Sequence, residues 1–513
     1  MKRALLSVSE KRGLKELAQT LVSSGWELTA SGGTAQFLER HSIPAAKIET
    51  MSGNPEAFGG RMKTLSFQTA SAILFDRDKP EHLAEAEKLG ISPIDLVVCN
   101  FYPFLEAVSK ELPLQEVIEQ IDIGGPTLVR AAAKNFKHVL VLVDPEDYPQ
   151  VQKSLLSEKE ITYEERLKLA AKAFSMTNRY DSMIDIYFHS HLHEEILNLS
   201  FYGGETLRYG ENPHQKGSVF WSEKTEPLSL RSFLKVSGKP LSFNNYLDAD
   251  SALKLLCALG GEQPVCVIVK HANPCGAAMG ETIEQAFDRA WEGDSVAAFG
   301  GIVGLNRPLT TRIAEKFSAE KKFIEIFLAP EIEDKALQIL SAKKKLTILL
   351  NPSLSAPCFS SEREFKQIRG GVLIQDPDVL QLTKEKLEVV SKKHPTDQEL
   401  EDLLFAWKIG KECRSNSIVL AKNFQIVGTG VGQQDRVNAC VLAVKKSGER
   451  AKGSCAASDG FFPFSDGPEI LIQAGAAAIL HPGGSVRDRE TIDLCDKYKI
   501  ALVTTKGVRS FKH

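Results

Sequence analysis

The chain has 513 residues, a net charge of -3, and 43% apolar and 25% charged residues, which is an ordinary globular composition. This length predicts two or three domains that can bury cores without disulfides or structural metals. The near-neutral charge gives no electrostatic reason to expect nucleic acid or an acidic membrane as a partner, so composition favours a soluble enzyme or binding protein.

Nine cysteines are scattered between Cys99 and Cys495, with no C-x-x-C pair. This pattern is more typical of buried free thiols in a reducing compartment than of a disulfide framework. The apolar run at the N-terminus is too short for a signal-peptide core, and no stretch reaches the ~18 apolar residues of a membrane span. We therefore expect a cytoplasmic protein.

The first block, residues 1–197, alternates predicted strands with predicted helices. "WELTASGGTAQFLERH" predicts a strand over 26–29, a Gly-rich bend and a helix, and "PIDLVVCNFYPF" and "HVLVLVDPEDY" predict two further strands. Between them, "IDIGGPTLVRAAAKNF" predicts a loop that leads into a helix. The alternation indicates a mostly parallel sheet covered on both faces, with ligands at the carboxyl ends of its strands.

The second block, residues 198–513, begins at the turn-rich segment "FYGGETLRYGENPHQKG". It contains two similar halves, "YLDADSALKLLCALGGEQPVCVIVKHANPCG" and "ELEDLLFAWKIGKECRSNSIVLAKNFQIVGTGVG". In each half, a predicted helix with acidic residues near its start is followed by a strand with polar residues at its exit. The similarity is a weak indication of internal duplication.

Three segments of the first block carry groups suited to binding or proton transfer. "TASGGTAQ" offers helix N-terminal amides and the hydroxyls of Ser31 and Thr34, which can hold a phosphate. The same sequence is also typical of a tight turn that binds no ligand. "GGRMKTL" adds positive charge, or is an ordinary surface loop. Tyr102 in "NFYPF" and Asp122 in "IDIGG" can serve a reaction, or can be a half-buried aromatic and a helix cap, with Lys134 three turns into the helix that follows.

"VKHANPCG", Val269 to Gly276, follows the buried run "PVCVIV". Successive side chains on a strand point to opposite faces, so the pattern predicts that the strand breaks and that residues 270–276 form an exit loop at the sheet edge. Lys270 disfavours a second positive charge beside it, which helps His271 stay neutral and act as a base. A His next to a Lys in a loop can also have no role.

Several chemistries lack their sequence signatures. A zinc deaminase needs H-x-E and P-C-x-x-C, and "NPCGAAM" has the single Cys275. The chain also has no H-E-x-x-H, no G-x-x-x-x-G-K-[ST] loop and no G-x-S-x-G elbow. We expect chemistry carried by polar side chains, without a metal, on a substrate that brings its own activated group.

Many motifs together, spread in order over nearly the whole chain, carry a more specific resemblance. They are "SVSEKRGL", "TASGGTAQFL", "GRMKTL", "NFYPF", "IDIGGPTLVRAAAKN", "LRYGENPHQ", "NNYLDADSA", "VKHANPCG", "AFGG", "RSNSI", "GTGVGQQDRV", "SDGFFPF" and "HPGGS". The set resembles the bifunctional purine-biosynthesis family that joins aminoimidazole carboxamide ribonucleotide (AICAR) formyltransferase to inosine monophosphate (IMP) cyclohydrolase.

The resemblance implies an α/β fold with two domains. Residues 1–197 would be a methylglyoxal-synthase-like parallel-sheet domain that carries the cyclohydrolase site, and residues 198–513 a formyltransferase domain of two cytidine-deaminase-like lobes without zinc. It also implies 10-formyltetrahydrofolate as co-substrate, and a homodimer with formyltransferase sites at the subunit interface.

The resemblance assigns residues of the second block to formyl transfer. His271 would take the proton of the attacking amine, Lys270 would position or protonate the groups around the tetrahedral intermediate, and Asn416 would orient the reacting groups. The implied nucleotide contacts are Arg208, Tyr209, Asn245, Gly300, Glu325 and Arg436, of which Asn245, Gly300 and Glu325 match either nucleotide or folate contacts. The implied folate-side residues are Phe461, Asp466 and Arg509.

The resemblance likewise assigns residues of the first block to ring closure of formyl-AICAR to IMP. The implied catalytic residues are Lys63, Tyr102, Asp122 and Lys134. The implied substrate and phosphate contacts are Ser9, Lys11, Ser31, Gly32, Gly33, Thr34, Arg61, Thr64, Asn100 and Gly124.

The sequence departs from the family pattern after "RMKTL". Relatives usually continue with His-Pro, a basic residue and a His-Gly-Gly-type turn, whereas this chain reads "SFQTASAIL", with Ser66, Phe67 and Ala70 in their place. The departure motivates an alternative, a monofunctional formyltransferase whose N-terminal domain binds a nucleotide without closing the ring. A zinc deaminase or a lyase acting on a small sugar phosphate is a third reading.

Overall fold

The computed structural model describes residues 1–222, 226–320 and 322–513. The chain divides into two compact units, Met1–Leu199 and Ser200–His513. The division falls two residues after the end of the predicted first block. Across the described ranges, no helix has both the length and the apolar character that crossing a membrane requires.

The first unit is built on one five-stranded sheet. Its strands are β1 Arg3–Ser7, β2 Glu27–Ala30, β3 Ala46–Lys47, β4 Leu96–Cys99 and β5 Leu140–Leu142. They lie in the order β3-β2-β1-β4-β5, and every neighbouring pair is parallel. The parallel sheet that the alternating pattern predicts is therefore confirmed, with the second strand one residue later than predicted.

Helices cover both faces of this sheet. They are α1 Leu14–Ser23, α2 Gly32–Arg40, α3 Ile48–Ser52, α4 Phe67–Leu74, α5 Pro80–Lys88, α6 Phe104–Ser109, α7 Leu114–Ile118, α8 Gly124–Lys134, α9 Tyr148–Leu156 and α10 Tyr163–His191. Strand side chains alternate between two cores, one against α1 and α9 and one against α8 and α10. All the strands consequently end at one edge, where polar loops follow them.

The second unit begins with a two-stranded antiparallel sheet, β6 Tyr202–Thr206 and β7 Ser218–Trp221, and continues into a first lobe. The elements of that lobe are β8 Leu234–Ser237, α11 Phe243–Leu259, β9 Val265–Lys270, β10 Asn273–Met279, α12 Ile283–Gly293, α13 Ser295–Ala298, β11 Ile302–Leu305, α14 Thr311–Ala319, β12 Ile326–Ala329, α15 Asp334–Ser341 and β13 Thr347–Leu350. Its sheet has the order β10-β9-β11-β12-β13-β8.

A hairpin of β14 Glu364–Ile368 and β15 Gly371–Gln375 leads to the second lobe. The elements of that lobe are β16 Glu388–Val389, α16 Asp397–Gly410, β17 Ile418–Ala421, β18 Ile426–Gly430, α17 Arg436–Ser447, β19 Cys455–Ser458, α18 Asp466–Gln473, β20 Ala478–His481, α19 Asp488–Tyr498 and β21 Ala501–Thr504.

The two lobes have the same topology. The second sheet, read as β18-β17-β19-β20-β21-β16, repeats the first in both strand order and strand direction. One apolar core is shared between the lobes, with α11 of one packed against α16 of the other. The internal duplication indicated by the sequence is confirmed.

The predicted exit loop over residues 270–276 is wrong. Strand β9 continues through Lys270, and β10 starts at Asn273, so only His271 and Ala272 form the turn of a tight hairpin. Both turn residues take left-handed φ angles, 52° and 55°, which reverse the chain within two residues. Pro274 is accommodated because β10 is the first strand of the sheet order, where a missing N–H costs little.

All nine cysteines are free, and all but the exposed Cys358 are buried. The prediction of buried free thiols is therefore confirmed for eight of them. Cys275 packs in the core of the first lobe, and burial raises the pKa of its thiol to about 12. It fills space in that core.

Candidate active sites

The first candidate site lies where the strands of the first unit end. Helix α2 begins directly after β2, and its N-cap residue Ser31 makes no side-chain cap hydrogen bond. The Ser31 hydroxyl is instead 2.8 Å from the hydroxyl of Ser7, at the end of β1. The first amides of α2 are left for a ligand, and the helix dipole favours an anion there.

Thr34 and Lys11 border this helix N-terminus. The Thr34 hydroxyl bonds both backbone groups of Val8 at 3.1 Å, and the Lys11 ammonium lies 3.3 Å from the same hydroxyl. Burial lowers the pKa of Lys11 below its ordinary value. A half-buried lysine beside free helix amides is suited to a phosphate group.

Asn100, at the end of β4, fixes the loop after β1. Its side-chain oxygen accepts the amides of Ser9 and Glu10 at 2.6 and 3.0 Å, and its nitrogen donates to the Glu10 carbonyl at 3.2 Å. Asn100 thus makes three hydrogen bonds to that loop. Asn100 therefore shapes the pocket through the backbone of Ser9.

Two glycines admit Lys63 and Thr64 to the site. A Cβ at Gly32 would lie 2.6 Å from Cε of Lys63, and one at Gly124 would lie 2.4 Å from the Thr64 hydroxyl. Lys63 also pairs with Glu56 at 3.2 Å. Arg61 pairs with Glu119 on the surface, so this arginine does not meet the same cluster.

Asp122 lies at the start of α8. Its Oδ1 accepts the Gly125 amide at 2.7 Å, and its own amide donates to the Tyr180 hydroxyl at 2.7 Å. Burial raises the pKa of this carboxyl above its ordinary value, against the opposing effect of hydrogen bonds from the amides of Gly125, Tyr102 and Gly124. A desolvated carboxylate that accepts the backbone amide of the half-exposed Tyr102 is suited to relay protons.

Lys134 is not brought to this cluster. It occupies the last turn of α8 and is exposed, ten residues after Gly124, which is roughly 15 Å along the helix axis. The structure thus joins Asp122, Tyr102 and Thr64 near one end of α8 and places Lys134 at the other.

The segment that departs from the family pattern forms a regular helix. Ser66 caps α4 by accepting the Thr69 amide at 3.0 Å, and α4 packs against α8. Thr64, Phe67, Ala70 and Thr127 are among the residues that line a largely apolar cavity of about 420 Å³ between these helices. The altered segment leaves Lys63 and Thr64 at the site and adds an apolar wall beside them.

One group of possible metal ligands, Asp76, Asp78 and His138, also occurs in this unit. His138 precedes β5, so the group lies at the opposite edge of the sheet from the candidate site. Lys137 and Lys79 already pair with its carboxylates. Within the described part of the second unit, no such group of three side chains comes together.

The second candidate site is built around the β9–β10 turn. Lys270 donates its ammonium to the Phe299 carbonyl at 2.7 Å, close to Gly300, which has a φ of 79°. Asp248, on α11, accepts the Ala272 amide at 2.6 Å and also the His271 amide. Burial raises the pKa of Asp248, and the neighbouring His271 opposes that rise. The exposed His271 is therefore presented by a fixed turn.

Asn245, Glu325 and the Arg208 loop lie around α11. Asn245 donates to Glu325 at 2.7 Å and closes a capping box with Ser242. Arg208 stacks over Tyr209 at 5.5 Å, and Asn244 ties the same loop to the start of α11 through the Glu211 carbonyl. The stacked, exposed Arg208 is available to an anionic ligand.

Arg436 of the second lobe is buried and internally bonded. Its guanidinium donates to Asn416 at 2.6 Å, to Ser458 at 2.8 Å and to Asp459 at 2.5 Å. Only 8% of Arg436 is exposed, so its main effect in this arrangement is to hold the Asn416 side chain. This differs from the nucleotide contact that the resemblance implies for Arg436.

Asn416 and His271 come from adjacent segments of the two lobes. The amide of Arg414, two residues before Asn416, donates to the side chain of Asn273 at 3.2 Å. Asn273 follows His271 by two residues and bonds its carbonyl at 3.0 Å. These contacts bring the segments that carry His271 and Asn416 together at one junction between the lobes.

The implied folate-side residues lie near Arg436. Arg509 stacks over Phe461 at 5.2 Å. Asp466 begins α18 and lines a cavity of about 280 Å³ with Arg436, Phe462 and Phe464. Aromatic faces beside an exposed carboxylate are suited to a flat heterocycle that carries amino groups.

The buried His481 leads us to expect that this lobe loses stability at acidic pH. It is 1% exposed, and burial lowers its pKa to about 4, with Arg436 acting in the same direction and Asp488 opposing. The unfolded chain binds a proton at His481 below about pH 6.5, whereas the folded chain binds it only below about pH 4. Stability is therefore lost as pH falls from about 6.5 to about 4, by about 2 kcal/mol at pH 5.

Urea unfolding at pH 7 and pH 5 measures this loss. His481→Gln should lose about 2 kcal/mol less than the original chain between these two pH values. Equal losses in the two proteins would contradict a neutral buried His481.

Sequence reasoning assigned no individual role to Asp248, Asp459 or His481. Asp248 and Asp402 fall inside the two helix segments that indicated duplication, and each is the sixth residue of its helix. That equivalence was visible in the sequence. Asp459 and His481 fall in the motifs "SDGFFPF" and "HPGGS", but their partners are distant along the chain, so no local pattern shows their contacts.

Comparisons with known proteins agree with this architecture. A family model described as AICARFT/IMPCHase bienzyme matches residues 132–446, and an MGS-like domain model matches residues 13–127. A crystal structure titled ForH is 35% identical and covers 37% of this chain and 98% of that chain, with a TM-score of 0.34, which is too low to support an argument.

Curated relatives match the full length of the chain. Proteins named "Bifunctional purine biosynthesis protein PurH" from Acetivibrio thermocellus and Oceanobacillus iheyensis are each 43% identical, and one from Thermoanaerobacter sp. is 42% identical. Each alignment covers 100% of both chains. The family implied by the sequence motifs is confirmed: this chain belongs to the AICARFT/IMPCHase bienzyme family.

Proposed function

We propose that this protein catalyses formyl transfer from 10-formyltetrahydrofolate to AICAR in its second unit and closes formyl-AICAR to IMP in its first. Full-length matches to bifunctional relatives carry this proposal. The retained Lys63, Thr64 and Asp122 cluster favours it over the monofunctional alternative.

For formyl transfer, the 5-amino nitrogen of AICAR attacks the formyl carbon, and the bond from that carbon to N10 of the folate breaks. His271 takes the amine proton. General-base catalysis of this kind contributes ~10²–10⁴-fold in rate. Lys270 stands beside the forming oxyanion, and Asn416, held by Arg436, orients the reacting groups. The proton leaves with the N10 nitrogen.

The proposed ligand contacts of the second unit fall into a nucleotide side and a folate side. Arg208, Tyr209, Asn245, Gly300 and Glu325 border the nucleotide side of the first lobe. Phe461, Asp466 and Arg509 border the folate side, and the 280 Å³ cavity beside Asp466 would take part of the pterin.

For ring closure, the carboxamide nitrogen of formyl-AICAR attacks its own formyl carbon and water leaves. The closure is intramolecular, so the site has mainly to orient the substrate and move protons. Free amides of α2, with Lys11 and Thr34, hold the phosphate, and Lys63, Tyr102 and Asp122 serve the proton transfers. Lys134 lies at the other end of α8, outside this cluster.

The test is an assay of the whole protein with AICAR and 10-formyltetrahydrofolate, with formyl-AICAR and IMP separated by chromatography. We expect IMP as the end product. Formyl-AICAR that accumulates without IMP would favour the monofunctional alternative, and no formyl-AICAR at all would overturn the proposal. We further propose a cytoplasmic location, which eight buried free thiols support.

We also propose a homodimer that covers the β14–β15 hairpin. Both faces of this hairpin are exposed, including Phe365 at 46% and Leu373 at 58%. An isolated two-stranded hairpin is at best marginally stable in water, so a covering surface is expected. Phe201 meets Phe365 at 5.7 Å, which extends the apolar surface.

Replacing Leu373 and Ile374 by Asp should weaken this dimer by about 100-fold or more, because two charges would enter an apolar interface. Sedimentation measures the change, and Leu156→Asp, at an exposed leucine of α9, is the control. A dimer that survives the double substitution would contradict this interface.

A further inference from the structure

The turn that presents His271 occurs twice in the second unit. Its copy lies between β17 and β18 of the second lobe, where Asn423 and Phe424 take φ angles of 51° and 58°. These match the angles of His271 and Ala272 within a few degrees. The duplicated fold therefore preserves even this left-handed pair.

The carboxylate that holds the turn is also duplicated. Asp402 accepts the amides of Asn423 and Phe424 at 2.8 and 2.7 Å. Asp248 does the same for His271 and Ala272, and both aspartates are the sixth residue of their helices. Each lobe thus clamps its turn from the helix that precedes it.

The lysine before the turn is a third shared feature. Lys422 donates to the Lys452 carbonyl at 2.9 Å beside Gly453, as Lys270 donates to the Phe299 carbonyl beside Gly300. Both glycines have a positive φ, 79° and 74°. The chief chemical difference is that the first lobe has the imidazole of His271 where the second lobe has the side-chain amide of Asn423.

We propose that Asp248 is a positioning residue for His271: it locks the left-handed turn and keeps a negative charge beside the imidazole that must accept a proton. This rests on the formyl transfer proposed above. The Asp402 turn is the same clamp without a base, and it serves only the fold. Two consecutive non-glycine residues with positive φ are strained, so two charge-assisted hydrogen bonds are needed to hold them.

The duplication supplies a matched control for the test. Asp248→Asn and Asp402→Asn each remove one charge and one acceptor from equivalent clamps. Both variants of the full chain should lose similar stability in urea. Asp402→Asn should keep kcat for formyl transfer within about 3-fold, whereas Asp248→Asn should lose ~30-fold or more, with KM for AICAR changed less than about 3-fold.

Equal kcat losses in the two variants, or a loss in Asp248→Asn that appears only as a higher KM, would overturn the proposal. If Asp248→Asn does not fold, Ala272→Gly tests the same point, because glycine accepts the turn geometry but loosens it. We expect that variant to lose about 5-fold in kcat at constant KM, and an unchanged kcat would contradict a role for the locked turn.

These outcomes are separate from a failure of the proposed function. An original chain that makes no formyl-AICAR would refute the formyl transfer itself. An active chain with an equally active Asp248→Asn variant would refute only the positioning role.

Discussion

His271→Ala should lower formyl transfer by ~10²–10⁴-fold, because the attacking amine loses the group that takes its proton. The variant should still close supplied formyl-AICAR to IMP at the original rate. His271 is exposed, so its removal should change the free energy of unfolding by only about 0.5 kcal/mol. Separate assays of the two steps, with urea unfolding, measure these effects.

His394→Ala is the control for that experiment, since His394 is an exposed histidine of the same unit outside both candidate sites. It should leave both rates unchanged. Near-original formyl transfer in His271→Ala would remove the base from the proposed mechanism, and a loss confined to ring closure would mean that the two activities are assigned to the wrong units.

Asp122→Asn should lower ring closure by about 100-fold or more and leave formyl transfer intact. The carboxylate collects backbone amides from the start of α8 and from Tyr102, and an amide side chain would turn a donor toward one of them. Because burial raises the pKa of Asp122, the acid limb of ring closure should also lie above that of an ordinary aspartate.

Asp144→Asn supplies the matched control in the same unit. Asp144 pairs with Lys172 at 2.8 Å after β5, and none of the contacts found among the described residues joins it to Asp122. We expect ring closure within about 2-fold of the original and a stability loss of at most about 1 kcal/mol. Equal losses of ring closure in the two variants would contradict a chemical role for Asp122.

The layered architecture could be predicted because the spacing of apolar residues differs strongly between the strands and the helices of this chain. Buried runs such as Leu96–Cys99 and the glycines at the start of α2 fix strands and their polar exits from local sequence alone. The weak similarity of two helix-strand segments likewise predicted the repeated lobes. Family resemblance supplied the reaction, which no local pattern specified.

The turn at His271 could not be predicted in the same way. Its left-handed pair is stabilised by Asp248, 23 residues earlier, and a sequence pattern shows neither the pairing nor the φ angles. The same holds for Arg436, whose partners Asn416 and Asp459 are 20 and 23 residues away. Such long-range polar bonds decide whether a side chain faces a ligand or another side chain.

The central claim is that the two steps occupy separate sites in the two units, and a mixing experiment tests it most directly. His271→Ala and Asp122→Asn should each form little IMP from AICAR and 10-formyltetrahydrofolate. Mixed together, they should restore IMP, because formyl-AICAR released by the second variant is closed by the first. A mixture that remains as inactive as the separate variants would contradict the claim.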